Sequence, residues 1–181
     1  MRSPSALRTW LLTLVVAASA PGVAPRLTAA PATKPIPAPP EENGYLKLDF
    51  YWLSFYSFVE PDIDHSPDSK APLATGEEQI PAAVKSWSGK KATLTGFVLP
   101  TKFENGKATE LLLMANLMLC CYGAIPKMND WVIVKVPGGT PVIQDTPIAF
   151  RGTFTVGAQF QDRYLTGIYE LDAEGPGKVD N

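Results

Sequence analysis

Between Lys91 and Asp172, five short stretches alternate apolar and polar residues with a period of two: KATLTGFVLP, ELLLMANLML, WVIVKV, TPIAFRGTFTV and YLTGIYELD. A period of two puts successive side chains on opposite faces, which a strand does and a helix does not. In the fourth stretch Ile148, Phe150, Phe154 and Val156 share one face, while Arg151, Thr153 and Thr155 share the other. Gly96, Gly152 and Gly167 interrupt strand centres, as glycines do where a sheet coils sharply or turns a barrel corner. Glu104-Asn105-Gly106-Lys107 lies between the first two stretches, and Asn-Gly suits a tight hairpin because both residues tolerate positive φ. The expected fold is mainly β: a small five-stranded barrel resembling the oligonucleotide/oligosaccharide-binding (OB) type, with a β-sandwich as the alternative.

Upstream, EEQIPAAVKSW reads as one short helix beginning near Thr75 or Gly76 and ended by Ser88-Gly89. GYLKLDFYWLSFYSF is densely aromatic. It is expected to form a strand or short helix whose rings cap the barrel.

Ahead of it the composition changes. Eighteen prolines are present in the chain, and APRLTAAPATKPIPAPPEE is too rich in Pro and Ala to bury a core. Before that, Arg2 and Arg8 precede an apolar run from Trp10 to Ala18 followed by small residues, the pattern of an export signal. The run is shorter than the roughly 20 apolar residues that span a bilayer. Cutting after Ala18 or Ala32 avoids the prolines that follow Ala20, Ala24 and Ala30. The expected organisation is 1-20 signal peptide or N-terminal anchor, 21-44 disordered linker, 45-78 aromatic segment plus polar loop, 79-173 barrel, and 174-181 flexible tail. The protein is expected to be exported, periplasmic or otherwise extracytoplasmic, with no transmembrane span beyond the signal region.

Charge and motifs exclude several activities. A formal net charge of −2 speaks against nucleic acid, which needs a basic footprint. A single histidine, His65, forbids a multi-histidine zinc site within one chain. No Gly-x-Ser-x-Gly, phosphate-cradling glycine loop or His-Glu-x-x-His occurs. The expectation leans away from an enzyme. Asp62, Asp64, His65 and Asp68 cluster in a loop; without EF-hand spacing, a solvated turn is favoured over a cation site. Asp130, Trp131 and Arg151 are candidates for a binding face, with Trp131 expected to pack at the start of its strand.

Apart from the initiator, all the sulfur lies in LLLMANLMLCCYGAIPKMND, at Met114, Met118, Cys120, Cys121 and Met128. Thiolate and thioether select Cu(I), and thiolate also suits zinc. A strand continuing to Cys120 would align Met114, Met118 and Cys120 on one face, with Met128 returning from the loop. Methionine is equally common core filler. The adjacent Cys120 and Cys121 also form a redox-capable pair in an oxidising compartment. Their Cα atoms, about 3.8 Å apart, fall below the usual disulfide span of ~4.4–6.8 Å. Such a bond would be strained and reducible, fit for a switch rather than a brace. A third alternative is two buried thiols chosen for size.

The run from Ile80 to Leu171, through IPAAVKSWSGKKATLTGFVLP, TELLLMANLMLCCYGAIPKMNDWVIVKV, TPIAFRGTFTVG and YLTGIYELD, resembles a bacterial family known as domain of unknown function 3299. The resemblance implies an exported OB-like barrel and no established activity. It also suggests association with an envelope transporter or metal handling. Many relatives carry Cys-x-His, a proline run and an Asn. Here Cys120 matches the cysteine, Tyr122 stands at the histidine, Pro126 remains of the proline run, and Asn129 matches the asparagine. The expected function is therefore a non-enzymatic binding or accessory protein working through the Cys120–Asn129 loop, with Cu(I) or zinc as candidate ions. The alternatives are a thiol-redox protein and a purely structural interaction module.

Overall fold

The computed structural model describes residues 37–117, 125–143 and 145–179. The signal region, most of the proline-rich linker, and the segment 118–124 lie outside the described residues.

Five long strands carry the fold. They are β3 (Lys90–Glu104), β4 (Lys107–Met114), β5 (Trp131–Thr140), β6 (Ile148–Gln161) and β7 (Tyr164–Ala173). Before them come β1 (Glu41–Glu42) and β2 (Tyr45–Leu48), and after them β8 (Lys178–Val179). The order β3-β4-β5-β7-β6 closes on itself because β6 also pairs with β3, from Lys90↔Phe154 to Gly96↔Ile148. The result is a closed five-stranded barrel. All its pairings are antiparallel except β5–β7, and this order is that of the expected OB type.

Inward positions follow the period of two. Ala92, Leu94, Leu111, Leu113, Val132, Val134, Phe150, Phe154, Tyr169 and Leu171 are all buried. The glycines mark where backbones come close. A side chain at Gly96 would stand 2.6 Å from the Met114 carbonyl and 2.9 Å from the Phe50 ring. Gly152 is opposite Ala92 on one side and Ala173 on the other, so three small residues form the closing seam. The β3–β4 turn uses Asn105 at φ 49° and Gly106 at φ 76°, the expected hairpin geometry.

Three expectations need correction. The second strand stops at Met114 rather than running to Leu119. Trp131 pairs with Met114 at the end of the β4–β5 ladder, and Ala115–Leu117 have already left it. Of the expected Met114, Met118 and Cys120 face, Met114 is the last residue of β4, and Met118 and Cys120 lie outside the described residues. The helix read in EEQIPAAVKSW is broken in two, a 3₁₀ turn at Glu77–Gln79 and α2 at Ala82–Lys85. Pro81 is the reason. The residue before a proline is driven from the α region, and Ile80 is extended at φ −76°, ψ 124°. The barrel has two short α-helices, not one, since the aromatic segment is strand and helix in turn. β2 joins β3 in parallel, Leu46 opposite Ala92 and Leu48 opposite Leu94. Asp49 then caps α1 (Phe50–Ser54), accepting the Trp52 N–H at 3.2 Å.

Order extends upstream of Tyr45: the Pro40 carbonyl accepts the Lys47 N–H at 2.8 Å, and Glu41–Glu42 pairs with β2. Among the described residues no helix is long and apolar enough to cross a membrane.

Candidate functional site

The barrel end where β4 leaves and β5 enters is covered by the aromatic segment. Phe50 and Leu53 of α1 are buried there with Phe58. On the loop side, a turn at Lys127–Asp130 prepares the start of β5. The Asp130 N–H bonds the Lys127 carbonyl at 2.9 Å, and the Asp130 carboxylate accepts the Lys127 N–H at 2.8 Å. This double closure sets the direction of Asn129.

Asn129 is fully buried. Its Nδ2 donates to the Tyr56 carbonyl at 2.8 Å and to the Leu53 carbonyl at 3.4 Å. Two carbonyl acceptors fix the amide nitrogen on that side. Its Oδ1 is buried and meets no donor among the described residues. The Leu53 carbonyl also accepts the Tyr169 hydroxyl at 3.0 Å. With its one hydrogen so used, Tyr169 accepts from the Tyr56 hydroxyl at 2.6 Å. Asn129, Tyr169, Tyr56 and Leu53 thus form one polar knot in an otherwise apolar core. The knot ties the aromatic segment to the root of the sulfur-bearing loop.

Burial pushes the Tyr56 hydroxyl up to about 12, partly offset by its bond to Tyr169. Burial, and then the neighbouring Tyr56, push Tyr169 higher still. Unfolded tyrosine ionises near pH 10, so folding holds both groups neutral. The stability this gives is complete below about pH 10 and is lost as pH rises through about 12. Of the six tyrosines, Tyr56 and Tyr169 are expected to ionise only with unfolding. Phenolate absorbance followed beside circular dichroism checks this. All six ionising near pH 10 with the fold intact would refute it.

The other candidates are placed as follows. Met114 is buried at the end of β4, and Met128 is half-buried against the core. Pro126 is half-buried. Met118, Cys120, Cys121 and Tyr122 lie outside the described residues. Among the described residues no cluster of three or more His, Cys, Asp or Glu is placed to hold a metal ion. Trp131 starts β5 as expected and donates its indole N–H to the Thr166 carbonyl at 3.0 Å.

The acidic loop is held from the β6–β7 hairpin. Arg163, at φ 68°, donates to the carbonyls of Asp64 at 2.9 Å, Ser69 at 3.1 Å and Ala71 at 3.1 Å. His65 stacks on Tyr164 with ring centroids 4.3 Å apart. Hydrogen bonds from Ser69 and Ser66 hold the Asp64 carboxyl well below the usual carboxylate range. These residues form a strap fastened by one guanidinium.

Sequence reasoning missed Tyr56 and Tyr169. Each sits in a run of apolar and aromatic residues, and nothing local marks either as polar-bonded. Asn129 was singled out by the family resemblance alone.

No family model matches the chain, and no curated protein does. Among solved structures, the fold is similar to the crystal structure of a DUF3299 family protein from Pseudomonas aeruginosa PAO1. The TM-score is 0.51 at 23% identity, over 76% of this chain and 97% of the other. The chain resembles that family in fold.

Proposed function

We propose that the protein is a non-enzymatic binding protein working outside the cytoplasm, with the loop from Cys120 to Asn129 as its working element. The bound species on this reading is a soft metal ion, Cu(I) before zinc, held by Cys120 and Cys121. The observation that supports it is the root of the loop. Asn129 is buried and bonded to two carbonyls of the capping segment, and a site is precise only when the groups supporting it are locked. Soft sulfur concentrated on a loop whose root is locked suits Cu(I). The apolar barrel interior serves as scaffold, and the activity belongs to the loop rather than the fold.

Anaerobic titration of the reduced full chain with Cu(I) and with zinc is the test, read by native mass spectrometry. One equivalent is expected to bind and to be lost in Cys120→Ser with the fold retained. No bound metal in the reduced wild-type chain would overturn the metal reading. A mass lower by two hydrogens in freshly isolated protein, within the peptide holding both cysteines, would instead support the redox alternative.

A further inference from the structure

A second feature lies away from that loop, on the outer face of β2, β3 and β6. A groove of about 550 Å³ runs there, walled by Tyr45 and Lys47 on one side and the stretch from Glu174 to Val179 on the other. Its floor is made of small side chains, Thr93, Thr95 and Ala149. Lys47, Arg151 and Lys178 line it, against one acidic residue, Glu174.

The charges in the groove do not cancel. Lys47 pairs with Glu42 at 3.0 Å, and Lys91, just outside the groove, pairs with Glu174 at 3.0 Å. Among the described residues neither Arg151 nor Lys178 closes an ion pair. Arg151 acts on Glu42 and Glu174 only at longer range, helping to hold both carboxyls below their ordinary value behind the larger effects of hydrogen bonds from Lys47, and from Tyr45 and Lys91. Two cations that close no ion pair among the described residues face one groove in a chain whose formal net charge is −2.

The guanidinium is also held in place. It sits 5.5 Å from the centre of the Tyr45 ring. That ring is pinned by its own hydroxyl, which donates to Glu174 Oε2 at 2.6 Å. An arginine drawn to the face of an anchored aromatic loses less freedom when it binds. Its planar fork matches the paired oxygens of a carboxylate or phosphate.

We propose that this groove binds a small organic anion, whose phosphate or carboxylate group bridges Arg151 and Lys178 while its body lies over Thr93 and Ala149. The site does not depend on the Cys120–Asn129 loop. Amide NMR of the full chain, titrated separately with inorganic phosphate, glycerol phosphate and glucuronate, tests it. Saturable shifts are expected at Tyr45, Thr93 and Arg151, in the millimolar range set by exposed charges, and weakening with added salt. Affinity should fall at least tenfold in the double variant Arg151→Gln/Lys178→Gln. Thr93→Glu, which sets a carboxylate into the floor, should abolish binding independently. Response to the phosphates alone, or to glucuronate alone, identifies which anionic group the site takes. No saturable shift with any of the three probes, or unchanged affinity in the double variant with its spectrum otherwise intact, would overturn the proposal.

Discussion

Asn129→Leu is expected to lower the stability of the fold by about 2–4 kcal/mol, although leucine keeps the branching of asparagine. The reason is what it leaves behind. The Tyr56 carbonyl loses its 2.8 Å donor, and the Leu53 carbonyl keeps only the Tyr169 hydroxyl. A buried polar group stripped of its partner costs roughly 1–3 kcal/mol, more than the net worth of the bond itself. Connected networks lose more than one bond when a member goes. Asn129→Asp should be worse, since it turns a carboxylate toward two carbonyl oxygens. Urea unfolding measures the loss, and limited proteolysis should show new cleavage between Phe50 and Phe58. A change under about 0.5 kcal/mol, the level of an ordinary surface substitution, would show that Asn129 does not tie the segment down.

A larger effect is expected from a single methyl group at Gly152. A Cβ there would collide with the Asp172 carbonyl oxygen and stand 2.7 Å from its carbon and 2.9 Å from the Ala173 Cα. These are backbone atoms of β7, so no side chain can rotate away. Gly152 also lies opposite Ala92 of β3. The strain therefore falls on the β6–β7 pairing, on the same residue that faces β3 across the seam where the barrel closes. Overpacking a dense interior costs about 1–3 kcal/mol and more where nothing can yield. Gly152→Ala should cost upwards of about 3 kcal/mol. Gly175→Ala is the control, with nothing within 4 Å of its Cβ, and should be neutral. Thermal unfolding of both variants decides it. Equal melting temperatures would mean that the seam is looser than the backbone contacts imply.

The strands were legible because alternation is a local property. β3, β5 and β7 each contain their expected stretch, β6 begins two residues into its own, and Asn105-Gly106 marked its hairpin. The β6–β7 turn carried no such mark. It places Asp162 at φ 48° and Arg163 at φ 68°, where non-glycine residues are uncommon. The three carbonyl bonds of Arg163 help to offset that cost, and no sequence window shows them. β4 was read too long because the run ANLML reads on as apolar, while the strand ends at Met114 and Ala115–Leu117 have left the sheet. Helix α2 was read too long because one helix was carried through Pro81, whose effect on Ile80 decides the break. At the site, Asn129 could be named but not explained. Its partners lie 73 and 76 residues away, and a buried hydrogen bond at that separation leaves no periodic trace.

The cap of this barrel precedes the barrel in the chain, and that fixes an order of events. As the chain emerges with its N-terminus first, Leu53 and Tyr56 appear long before Tyr169, which is 116 and 113 residues further on. The segment meets its first partner in this knot at Asn129, 73 to 76 residues on, and the knot is complete only when the last long strand is made. Pairings of such separation are slow to form, because the loop must close before the contact rewards it. Completion of the knot therefore waits for β7, the last long strand to be made. That wait is written into which end of the chain supplies the lid.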